Sequence, residues 1–122
     1  MARVRLSRAA ERDIVDILAW SQSQFAVAAR HRYERLIVTA LSDIASNPFQ
    51  HGGVARPELG DGVRSWHLGT SRRRAAESGA VVARPRHFIV YRPAGSDLVE
   101  VGRLLHDAME LERHVQGPDV WE

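Results

Sequence analysis

The sequence predicts an α+β domain of order β-α-α-β-β-β with a short terminal helix, in which a helical hairpin packs on an antiparallel sheet. Three observations carry this expectation. A short alternating segment, Arg3-Val4-Arg5-Leu6, precedes two long amphipathic stretches; a Gly- and Pro-rich interval follows them; and the second half is dominated by runs dense in β-branched and aromatic residues, above all His87 to Asp107. Two helices with one apolar face each leave a joined apolar surface that a half-buried sheet can cover.

Arg3 to Leu6 has the period of 2 that marks a strand, with Val4 and Leu6 toward a core. Ser7 stops it, because a Ser hydroxyl can accept from the first orphan amides of a helix. Ala10, Ile14, Ile17, Leu18 and Ser21 then fall on one helical face up to about Gln24. Val27, Tyr33, Leu36, Ile37, Ala40, Leu41 and Ile44 form a second such face, closed at Asn47-Pro48, where Pro disfavours helical angles at the residue before it. A break at Gln24 to Ala26 makes the pair a helical hairpin. Residues 48 to 62 read as a loop and 63 to 68 as a strand.

His87 to Asp107 reads as a β-hairpin, with Phe88 to Tyr91 as one arm, Val99 to Leu105 as the other, and Pro93, Gly95, Ser96 and Asp97 in the turn. Between the strands, Gly69 to Arg86 reads as an exposed, mobile connection, because Arg72, Arg73 and Arg74 repel one another well within a Debye length of about 8 Å. Val81 and Val82 are candidates to extend the later strand backwards. Asp107 is a candidate N-cap for a thinly apolar, weakly docked helix at 108 to 115, with Trp121 in a polar tail.

A chain of 122 residues is expected to form one domain, residues 1–122, with a core at about 3–107 and the short helix and tail at 108–122. At that length it can bury roughly 65% of its unfolded surface. The absence of cysteine excludes disulfides, thiolate metal sites and thiol nucleophiles. No apolar run approaches the roughly 18 residues of a membrane span, and Arg3, Arg5 and Arg8 have no apolar segment behind them, so a cytoplasmic protein is expected. All 17 basic residues are Arg, as a GC-rich genome would favour. From Val63 to Arg92 there are seven Arg against the single acid Glu77, a net +6 on a chain of net +2. Such a basic middle suggests an acidic or polyanionic partner.

Taken in order, Leu6-Ser7 with Ala10, Asp13 and Ile17, Leu41 to Ala45 before Asn47-Pro48, Gly62-Val63-Arg64-Ser65, Ile89-Val90-Tyr91-Arg92 and Val99 to His106 resemble the ParE branch of the RelE/ParE toxins of bacterial toxin–antitoxin pairs. The resemblance covers about residues 4 to 107. It implies a helical hairpin on an antiparallel sheet, neutralisation by a wrapping, ParD-like antitoxin, and DNA gyrase as the target. RelE members cut messenger RNA instead. The long Arg-rich connection departs from the usual tight turn, which leaves the target open.

Metal-free RNA cleavage needs a base, an acid and cations for the phosphate, which Arg64, Arg92 and His106 could supply, with Tyr91 and His67 as auxiliaries. Tyr91 and Arg92 face opposite sides of a strand and cannot share one site. The structural alternative makes the arginines surface cations and lets His106 bond backbone where the strand ends. With that alternative, no catalytic residue is expected, and Arg64, Trp66, Arg72, Arg73, Arg74, Arg84, Arg86 and Tyr91 become target- or antitoxin-binding candidates. Trp66 serves as sheet core or as an antitoxin anchor, and direct nucleic-acid binding stays open. His106, Glu110 and His114 have helical spacing but no supporting shell, so no metal and no cofactor is expected.

Overall fold

The strand signals of the second half converge on a five-stranded sheet of order β1-β5-β4-β3-β2, seen in a computed structural model that describes residues 1–79 and 81–122. The strands are β1 Arg3–Leu6, β2 Val54–Ala55, β3 Arg64–His67, β4 His87–Pro93 and β5 Leu98–His106. The helices are α1 Arg8–Phe25, α2 Val27–Ser46, α3 Arg72–Glu77 and α4 Leu111–His114. No helix among the described residues is long and apolar enough to cross a membrane.

The helical hairpin forms where the patterns place it. Ser7 is buried; its hydroxyl accepts from the Ala10 amide at 3.0 Å and donates to the Gly102 carbonyl at 2.7 Å, joining the start of α1 to the middle of β5. Between the helices Ala26 sits at φ 80°, ψ 176°, a region that suits glycine, with its amide donating to the Gln22 carbonyl. β4 and β5 pair antiparallel from His87↔His106 to Pro93↔Val99, with a bulge between Val90 and Tyr91.

The sheet is mixed rather than wholly antiparallel. β1 lies parallel to β5, with Val4 opposite Val99 and Leu6 opposite Val101. Alternation of apolar residues marks a strand but carries no information about a neighbour's direction. The loop at 48 to 62 also contributes an edge strand, since Val54 pairs with Ser65 and Ala55 with Arg64.

Both faces of the sheet are covered. On the helix side, Trp66, Ile89, Tyr91, Val99, Val101 and Leu104 pack against Ala10, Leu18, Leu36, Ile37, Ala40 and Ile44. On the other side, Val63, Val90 and Leu105 pack against Val115, Val120 and Trp121. The tail therefore docks as core, contrary to expectation: Trp121 is only 8% exposed, and its backbone carbonyl accepts from Arg5 at 3.0 Å. Gly102 makes room for it, because a Cβ there would stand 2.8 Å from Val120 Cγ1 and 2.9 Å from Trp121 Cζ3. The helix expected at 108 to 115 shrinks to α4, and Asp107 caps nothing; its carboxylate takes His67 and Arg86 instead.

The connection expected to lie open is also partly built. Its three consecutive arginines fall in α3, which packs through Ala75, while Val81 and Val82 stay outside β4. Charge repulsion among Arg72, Arg73 and Arg74 is relieved because Arg74 pairs with Asp43 of α2 and its side chains point outward from a buried Ala75. Pro85, buried and without an amide proton, precedes the first paired residue of β4.

Candidate functional site

Arg64, Arg92 and His106 do not meet. Arg64 lies opposite Tyr91, and its guanidinium donates to the Gly53 carbonyl at 3.0 Å and the Gln50 carbonyl at 3.3 Å, tying down the loop that carries β2. Arg92 projects to the opposite face, donating to Glu100 at 2.9 Å and standing 4.3 Å over the Trp121 ring. His106 pairs with His87, four residues back along β4 from Tyr91, or about 13 Å from the Arg64 end. Its Nδ1 accepts the Ala108 amide at 3.0 Å, the backbone contact expected at a strand exit.

Two aromatic candidates are enclosed. Trp66 is 2% exposed and its indole donates to Ser71, which donates to Asp43 at 2.6 Å. Tyr91 is fully buried, and burial pushes its hydroxyl pKa up despite the adjacent Arg64. Neither presents a surface to a partner in this conformation. Among the arginines of the connection, Arg74 bonds Ser42 and pairs with Asp43, and Arg86 pairs with Asp107 at 3.0 Å. Arg72, Arg73 and Arg84 are exposed. No group of three His, Asp or Glu side chains among the described residues could hold a metal ion, and Glu110 lies just before α4 rather than on one helix with His106 and His114.

What the structure assembles instead is a groove of about 720 Å³ between the turn end of the helical hairpin, where α1 passes into α2, and residues 81 to 86, which run as an irregular strap beside it. Trp20, Phe25 and Met109 line its mouth, Tyr33, His87 and His106 its floor, and Arg32 and Arg84 its rim. Trp20 and Phe25 are 55% and 63% exposed and meet edge to face at 5.7 Å. Both rings belong to the last two turns of α1, outside the apolar stripe of Ala10, Ile14, Ile17, Leu18 and Ser21 that the sequence pattern picks out.

The floor is a hydrogen-bonded cluster. The Tyr33 hydroxyl stands 2.6 Å from His87 Nδ1 and accepts the Arg86 amide at 3.2 Å. Burial raises the Tyr33 pKa to about 12. Burial, helped by the neighbouring His106, lowers His87 to about 4. Below them Asp107 accepts from His67 Nε2 at 3.0 Å and from Arg86. Its burial alone would raise the carboxyl pKa, but the His67 bond and the Arg86 charge outweigh that and hold it below the usual range. A second anchor, Asp13, grips Arg103 through both carboxylate oxygens at 2.7 and 3.0 Å and accepts the Leu104 amide at 2.9 Å. The sequence had offered Asp13 only as part of a motif.

The family model described as ParE toxin of type II toxin-antitoxin system, parDE, matches residues 4–111. The comparison with curated proteins finds no match.

Proposed function

Because the chain belongs to the ParE toxin family and is a toxin of a type II toxin–antitoxin system, we propose that it acts without catalysis, as a cytoplasmic inhibitor of DNA gyrase silenced by a ParD-like antitoxin. The observation that supports a binding mechanism is the dispersal of Arg64, Arg92 and His106 over two faces and two ends of the sheet, each engaged in a structural contact. An in-line phosphoryl transfer needs its acid, base and cations within hydrogen-bond reach of one phosphate. In this reading residues 1–122 work as one domain. Arg72 and Arg73, exposed on α3, and Arg84 on the groove rim are the cations that meet acidic or phosphate groups of a partner, since guanidinium forks suit both.

Induction in cells, with parallel measurement of the DNA damage response, plasmid supercoiling and messenger RNA ends, tests the reading. Gyrase inhibition predicts filamentation, altered supercoiling and intact messages. Rapid transcript cleavage with normal supercoiling would overturn it in favour of a RelE-like ribonuclease. His106→Ala is expected to keep toxicity within about threefold, because losing one partly exposed backbone contact costs under about 1 kcal/mol.

A further inference from the structure

The groove combines a mostly apolar lining with an excess of one positive charge. Arg32, Arg84 and Arg86 line it against Asp16, the one acid among the described lining residues. Arg86 is committed to Asp107 at 3.0 Å. Arg32 and Arg84 are exposed and in no ion pair among the described residues, so two free guanidinium groups stand against one carboxylate. On the floor, Tyr33 and His87 stand 2.6 Å apart and engage each other. His106 differs. Its Nδ1 accepts the Ala108 amide at 3.0 Å, so the neutral ring carries its proton at Nε2, and that nitrogen has no partner among the described residues.

These features discriminate between classes of occupant. A nucleotide or other polyanion needs more cations than the groove has free, and sugar hydroxyls would be dehydrated against Ile17, Trp20 and Val82 without gaining partners. A neutral apolar molecule would gain nothing from the two guanidinium groups. A monoanion balances the charge, and a planar carboxylate matches the guanidinium fork. Its apolar part has room, since 720 Å³ falls within the range of about 300 to 1,000 Å³ usual for small-ligand sites. Trp20, Phe25, Val81 and Met109 are 46 to 63% exposed and leave apolar surface for a chain to cover.

We propose that the groove is a binding site for a medium-chain acyl carboxylate, its carboxylate among Arg32, Arg84 and His106 and its chain along Ile17, Val82 and Trp20. The site goes beyond the gyrase reading and does not rest on it, because this chain alone supplies every group that the ligand meets.

Trp20 reports on the site, because Trp66 and Trp121 are only 2% and 8% exposed. Dodecanoate, added to the full chain below its micellar concentration, should shift the tryptophan emission to the blue and saturate at about one molecule per chain by calorimetry. Dodecylamine, with the same chain and the opposite charge, should bind at least about tenfold more weakly. Each buried methylene is worth about fourfold, so octanoate, about four methylenes shorter, should bind at least about thirtyfold more weakly. Trp20→Phe should abolish the emission shift while calorimetry still detects binding. Ala29→Trp, which fills part of the groove from α2, should weaken dodecanoate by about tenfold or more. Arg32→Gln combined with Arg84→Gln, both at exposed positions, should cut the preference for carboxylate over amine to under about threefold. Val38→Ser, at an apolar position 54% exposed and outside the groove, should leave binding within about twofold. Vesicles of phosphatidylglycerol, which offer an anionic surface but no free chain, should leave the emission unchanged. No binding of dodecanoate, uptake of many molecules per chain, equal binding of dodecanoate and dodecylamine, or an emission shift that persists in Trp20→Phe would each overturn the proposal. So would a carboxylate preference that survives loss of both arginines, or a shift with vesicles and none with dodecanoate. All of these readouts use the purified chain and involve neither gyrase nor toxicity, so either reading can fail while the other stands.

Discussion

Acid should weaken this fold through His87, and replacing that residue should remove the effect. In the unfolded chain the ring titrates near 6.5, whereas in the folded chain burial and His106 lower it to about 4. Above 6.5 the ring is neutral in both states and the stability it contributes is fully present. Between 6.5 and 4 only the unfolded chain takes up the proton, so stability falls with falling pH, and below 4 the loss is complete. At about 1.4 kcal/mol per pH unit the ceiling is about 3.4 kcal/mol. The ring is only partly buried, and solvent screening reduces this to about 2 kcal/mol. His87→Asn places an amide group where Nδ1 meets Tyr33 and does not titrate. Urea unfolding from pH 8 to 4 should show the variant less stable than wild type at pH 8, with the gap closing by about 2 kcal/mol by pH 4. Asp107, also held below its usual range, loses stability as pH falls through its folded value, but in both proteins, so the difference isolates His87. Parallel stability curves across the range would refute the assignment.

Three further outcomes follow from the packing. Ala26→Gly removes a side chain from φ 80°, ψ 176° and should raise stability by about 1 kcal/mol, seen as a thermal midpoint a few degrees higher. Gly102→Val should displace Val120 and Trp121 at a cost of about 2 kcal/mol, with a red-shifted tryptophan emission as Trp121 enters water. Asp13→Ala leaves the Arg103 guanidinium and the Leu104 amide without their carboxylate and should cost about 2 kcal/mol in denaturant unfolding. Asp13→Asn, which can still accept from Leu104, should cost less.

Local signals carried much of the fold, and long-range ones the remainder. Ser7, the two amphipathic faces, Asn47-Pro48 and the turn at Gly95 each act within a few residues, so the helical hairpin and the β4–β5 hairpin were legible. The direction of β1 was not, because its partner Val99 lies far along the chain. The docking of Trp121 was hidden for a similar reason: nothing near residue 121 announces that Gly102 has left a hollow. The short helix α3 was masked by its own charges, which argue for exposure and say nothing of Ala75 between them and the core. At the site, His106 was read correctly as able to bond backbone, whereas Tyr33 and His87, 54 residues apart, had no shared signal before the sheet was closed.

The charge pattern needs a different reading once the partners are known. Of the seven arginines in the basic middle, Arg64 serves carbonyl groups, Arg74 serves Asp43, Arg86 serves Asp107 and Arg92 serves Glu100. Among the described residues, only Arg72, Arg73 and Arg84 of the seven are exposed without such a role, so a net charge counted along the sequence overstates the field a partner meets. The two classes respond differently to perturbation. Reversing Arg72 and Arg73 together should slow association with an acidic partner and flatten its salt dependence while leaving unfolding unchanged, because exposed charges act over about a Debye length of 8 Å. Replacing Arg64 by Met should instead free the Gln50 and Gly53 carbonyls and cost about 2 kcal/mol of stability with little change in salt dependence. If Arg64→Met lowers association rates at unchanged stability, the guanidinium belongs to a binding surface, and its present contacts with the loop are what a partner must displace.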